Sequence, residues 1–121
     1  MFRSILLLSL LSTPALAFQA RNGVQVIGNS DQVVVQPSPG QAAPQSWCAA
    51  GDFVIRGLGL AASTPIYRIT VPPRRGAETE VFSLSPEGAS DRTGLLRLGA
   101  VDNSVSAGHA QSLCTKGRWM F

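Results

Sequence analysis

Two cysteines, Cys48 and Cys114, stand 66 positions apart in a chain of 121 residues, and no other cysteine is present. If they are joined, one loop encloses more than half of the chain. Closing it removes about 4 kcal/mol of freedom from the unfolded state in the chain-entropy picture. That is a large share of the stability of a small domain. Other roles for the pair meet chemical obstacles. Tetrahedral zinc needs four ligands, and the chain offers these two thiols and a single histidine, His109. A redox pair is normally C-x-x-C, which is absent. A cysteine nucleophile needs a basic partner, and only His109 is available.

The amino end decides between these roles by naming a compartment. It reads MFRSILLLSLLSTPALAFQA, with Arg3 before the short apolar run Ile5 to Leu11 and then the small-x-small triplet Ala15-Leu16-Ala17. This is the pattern of a secretory leader cleaved after Ala17. The run is too short to span a bilayer, and Pro14 interrupts it. A lipid anchor would place a cysteine directly after the cut, where Phe18 stands. Cleavage takes Arg3 away and lowers the formal net charge from +3 to +2. The expected location is therefore periplasmic or secreted, with no transmembrane segment after cleavage and no nucleic-acid partner. Two cysteines in an exported chain favour a structural disulfide, Cys48–Cys114.

Local patterns place the elements. Residues 23–36, GVQVIGNSDQVVVQ, read as two strands around Gly28-Asn29-Ser30-Asp31. Residues 36–46 carry Pro37, Pro39 and Pro44 and read as an extended linker. A helix is predicted over 47–58, capped by Ser46. Its apolar stripe is Trp47, Cys48, Gly51, Val54, Ile55 and Leu58; Asp52 and Arg56 pair on the other face, and Phe53 falls off the stripe. Glycine is costly inside a helix, so Gly51 on the stripe predicts a close neighbour there, a strand or the disulfide partner. Pro65–Val71 and Glu78–Ser85 read as a hairpin, with Phe82 and Leu84 facing inward, and Leu95–Val101 as a third strand. Residues 104–113 fit a short helix capped by Ser104; with Gly108 inside, a strand fits them too.

The run WCAAGDFVIRGL, followed by PIYRITVPPR, VFSLSPEGA and the late Cys114, resembles a family of small uncharacterised exported proteins of Gram-negative bacteria. That family has a W/Y-C-A-A helix start and a closing cysteine. The resemblance spans about residues 46–115. It implies the exported location and the Cys48–Cys114 bond, and it implies no activity.

Catalytic sets are sparse. His109 is the sole histidine, no G-x-S-x-G elbow is present, and GLGLAAS lacks the lysine of a phosphate loop. No cofactor and no metal are expected. Two basic segments are candidates for contact with a partner. Arg74 and Arg75 in PPRRGA would sit at a hairpin tip, and guanidinium forks bind acidic groups well. Arg118 and Trp119 belong to the tail TKGRWMF, which suits an interface if exposed. The expected fold is α+β: a small antiparallel sheet packed against one main helix and stapled by one disulfide. Residues 1–17 would be the removed leader, 18–45 the N-terminal strands and proline-rich linker, and 46–121 the α+β core with its tail. The expected role is a non-enzymatic binding module for an envelope protein or acidic ligand. The alternatives are an inhibitor of an exported hydrolase, acting through Pro72–Ala77, and a small hydrolase using His109.

Overall fold

Alternating valines and phenylalanine build the inner face of one sheet. Val26 of β2 (Gln25–Gly28), Val33 and Val35 of β3 (Val33–Val35) and Phe82 of β5 (Glu80–Ser83) are fully buried. The computed structural model describes residues 16–38, 40–72, 78–95 and 103–116. Their six strands form one antiparallel sheet in the order β1-β2-β3-β5-β4-β6, completed by β1 (Leu16–Gln19), β4 (Pro65–Arg68) and β6 (Ser104–Ser106). The expected β2–β3 hairpin is present, with Ile27 opposite Val34. Asn29 closes its loop by accepting the amides of Asp31 and Gln32 on Oδ1. The sheet joins residues from both sides of the proline-rich stretch over one core.

The helix α1 (Ala43–Asp52) packs on β2 and β3 and crosses α2 (Ala107–Lys116). This is the α+β architecture expected from the sequence, and Cys48 is bonded to Cys114. The bond ties the middle of α1 to the last turns of α2. Gly51 lies where the two helices cross. A Cβ on it would come within 2.6 Å of the Gln111 backbone nitrogen and 2.7 Å of the Ala107 carbonyl oxygen. The close approach expected at this glycine is therefore made by the helix that carries the disulfide partner.

Several local expectations are corrected. The helix begins at Ala43, not Trp47, because Pro44 fits a first turn, where no amide donor is needed. Ser46 is consequently inside the helix and buried; it accepts from Gln41 Nε2 instead of capping. The start is closed by Gln45, whose Oε1 accepts from the Ala42 amide at 3.0 Å. Beyond Asp52 the chain widens into a π-helical turn, Phe53–Gly57, with the Leu58 amide donating to the Phe53 carbonyl. Phe53, off the stripe in sequence, is fully buried against Phe18 of β1, edge to face with ring centroids 5.5 Å apart. Asp52 is fully buried as well, not on an outer face.

The later strands are shorter than expected. On β4 the buried side is Ile66 and Arg68, while Val71 beyond the strand is exposed. Phe82 faces inward as expected and meets Trp47 edge to face at 4.7 Å; Leu84 packs at the core's margin. Residues 104–113 hold both a strand and a helix. Val105 of β6 pairs with Ile66, and Ser106, not Ser104, accepts the His109 amide at the helix start. Of the third expected strand, Leu95 lies in a bend and 96–101 fall outside the described residues.

Candidate functional site

The sheet ends at β1, and the tight turn after it sets one side of a cleft. The turn Ala20–Val24 is closed by the Ala20 amide on the Val24 carbonyl and by the Gly23 amide on the Ala20 carbonyl. Gly23 takes φ +84°, a left-handed conformation that other residues adopt at a cost. The turn presents Arg21 toward the π-helical turn, which presents Arg56. Between them lies an open cleft of about 590 Å³ lined by Gln19, Ala20, Arg21, Gly23 and Arg56. π-Helical turns occur frequently at functional sites, because the wider turn re-aims the side chains it carries.

Asp52 anchors both arginines. Its Oδ2 accepts the Arg56 guanidinium at 2.6 Å and the Arg21 amide at 3.0 Å. Its Oδ1 accepts Gln111 Nε2 at 3.1 Å and lies 3.4 Å from Arg21 Nε. The carboxylate has no exposure, yet the side chains of Arg21 and Arg56 keep 57% and 43% of theirs. Arg56 also lies over the Phe18 ring, 5.4 Å from its centroid, a cation–π contact. Arg56 is held by a buried charge and an aromatic face, whereas Arg21 is bound to Asp52 through its backbone amide and its side chain only approaches the carboxylate. Among the described residues no other polar group meets their side chains. Both residues line the cleft, and each guanidinium carries more N–H donors than Asp52 takes up. The cluster joins α1, α2, the first β-turn and the π-helical turn.

A second ionic pair has a different character. Arg68 and Glu80 sit on adjacent strands beneath the helices, 3.6 Å apart, and both are almost wholly buried. Arg68 also donates from Nε to the Thr70 carbonyl. Burial lowers the Arg68 guanidinium below its usual value, and the charges of Glu80 and Glu78 offset part of this. The pair is closed to solvent, so it organises the sheet and is no binding surface.

The residues singled out in the sequence are distributed differently. Cys48 and Cys114 are brought together. Arg74 and Arg75, and Arg118 and Trp119, fall outside the described residues. His109 is exposed on α2, and its hydrogen bonds run through its backbone: its amide donates to Ser106 Oγ and its carbonyl accepts from Ser112 Oγ. Among the described residues no carboxylate meets the imidazole, and no group of three His, Cys, Asp or Glu side chains converges. No helix among them is long and apolar enough to cross a membrane. The Arg21–Asp52–Arg56 cluster was not anticipated as a site. Only the Asp52–Arg56 spacing was legible, and it signalled a surface pair. No family model, no curated protein and no solved structure matches the chain.

Proposed function

We propose that the protein is an exported, disulfide-bonded binding module of the bacterial envelope, without catalysis of its own, that holds an acidic group of its partner in the Arg21–Arg56 cleft. One observation carries this reading: two half-exposed arginine side chains, one hydrogen-bonded to and one paired with a fully buried carboxylate, beside an open cleft. Preorganised donors lose little freedom when an anion arrives, which favours binding. The leader-like residues 1–17 support export. So does the disulfide, since such bonds persist in oxidising compartments. The resemblance of residues 46–115 to small exported proteins of Gram-negative bacteria supports the same location. Binding to immobilised poly-glutamate tests the role of the cleft. The expected result is a salt-sensitive association that Arg21→Ala/Arg56→Ala abolishes. Association unchanged in that variant would remove the cleft from the account. Export is tested by the intact mass of protein from the periplasm, which should begin at Phe18 and carry no thiol label until reduced.

A further inference from the structure

The sheet has a second face. β3 reads Val33-Val34-Val35, apolar on both sides, and β2 and β5 add Ile27 and Val81 to the side away from the core. Apolar residues on both faces are the pattern of a strand covered from both sides. Yet both helices belong to the inner side, where α1 meets β2 and β3 and α2 meets α1. On the outer side the register sets Ile27 beside Val34 and Val34 beside Val81, one row across three neighbouring strands. Ile27 keeps 43% of its surface exposed, and Val34 and Val81 are partly exposed. Amide and hydroxyl groups flank the row, with Gln25 on one side of it and the cross-strand neighbours Ser83 and Tyr67 on the other. Within the described strands the only charged residues are Arg68 and Glu80, and both are buried on the inner side. We propose that a second copy of this chain docks on the outer face, sheet against sheet. A charged partner finds no counterion there. A second copy brings the same apolar row, and amides and hydroxyls both donate and accept, so the face complements itself as a two-fold interface must. An apolar centre depleted of charge within a polar margin is also the usual composition of such a contact. Cleavage after Ala17 would leave the row intact, because its residues lie on β2, β3 and β5, and would place the new α-amino group on β1, at the rim of the sheet. Size limits strength. Six strands about 4.8 Å apart, each three or four residues long, make a face of roughly 24 by 13 Å. Tight complexes bury about 800 Å² per partner, more than such a face offers, so the dimer is reversible, with a Kd between roughly 10 μM and 1 mM.

The experiment is sedimentation equilibrium of the oxidised protein from about 10 μM to about 1 mM at low salt. The mass should rise with concentration toward twice that of the single chain. Val34 and Val81 straddle the middle of the strand order, so a two-fold axis passes close to them. Val34→Lys therefore sets like charges against each other and should weaken association at least about tenfold, and Val34→Glu should do the same. An equimolar mixture of the two variants should associate more tightly than either alone, because opposite charges then meet. Amide NMR spectra report whether each variant is folded; if either is not, Ile27→Lys and Ile27→Glu, at the exposed end of the row, take their place. A wild-type protein that stays a single chain throughout the range overturns the proposal. So does a dimer that the folded lysine variant leaves equally tight, because the contact then lies away from this face. A mixture no tighter than its components overturns the two-fold, face-to-face arrangement in the same way.

Discussion

Replacing Gly51 by alanine sets two effects of opposite sign against each other. Helix propensity favours alanine by about 1 kcal/mol in a helix interior. Packing opposes it. The added methyl would stand 2.6 Å from the Gln111 nitrogen and 2.7 Å from both the Ala107 oxygen and the Ala110 Cβ. Two of these are backbone atoms, which no rotamer change can move. The usual relief, a small separation of the helices, is resisted by the Cys48–Cys114 bond one turn away. Separation would also pull Gln111 from Asp52. Overpacking of a rigid site costs about 1–3 kcal/mol, and contact with backbone on a clamped helix belongs at or beyond the upper end. Subtracting the propensity gain leaves a net loss of about 2 kcal/mol. In a domain of this size that lowers Tm by roughly 10 °C. Urea unfolding of oxidised wild type and Gly51→Ala, followed by far-UV circular dichroism, measures it directly. A midpoint equal to or above that of wild type would refute the reasoning, since propensity would then have won and the helix crossing would be looser than described.

Further outcomes are expected from the same geometry. Cys48→Ala/Cys114→Ala should lose about 3 kcal/mol or more in urea unfolding, given the 66-residue separation, as the unfolded chain regains its freedom. For the buried pair, Arg68→Met and Glu80→Met singly should each cost about 3 kcal/mol by stranding the other charge. The double replacement should cost less than the sum, a coupling that a double-mutant cycle reads out. Asp52→Ala should cost less than breaking a fully buried pair, about 2 kcal/mol, because Arg21 and Arg56 remain in water. Its unfolding midpoint should therefore lie above that of Arg68→Met.

Much of the core was readable from residue spacing. The valines of residues 24–35 and the alternation around Phe82 identify strands because each strand shows one face to the helices. Gly51 betrayed a close contact because glycine is disfavoured in a helix unless something needs the room. The helix start was misplaced because Pro44 has two local meanings, linker breaker or first-turn residue, and local sequence does not separate them. Phe53 was misjudged because the stripe assumes one period of 3.6 residues, whereas the chain widens into a π-helical turn just there. Arg68 and Glu80 went unnoticed as core residues because each is tolerated inside only through the other, and they meet across neighbouring strands.

By itself the sequence determined the class of fold, the pairing of the two cysteines and the paired strands within residues 23–36, since these follow from local periodicity and from a choice between only two thiols. The cleft was decided by tertiary structure. Arg21 lies 31 positions from Asp52, and Gln111 lies 59 from it on the other side. Nothing in the local pattern around any of the three predicts that meeting. It arises because the crossing at Gly51 draws the adjacent Asp52 out of water. A carboxylate so buried must be met by donors from wherever the fold can bring them.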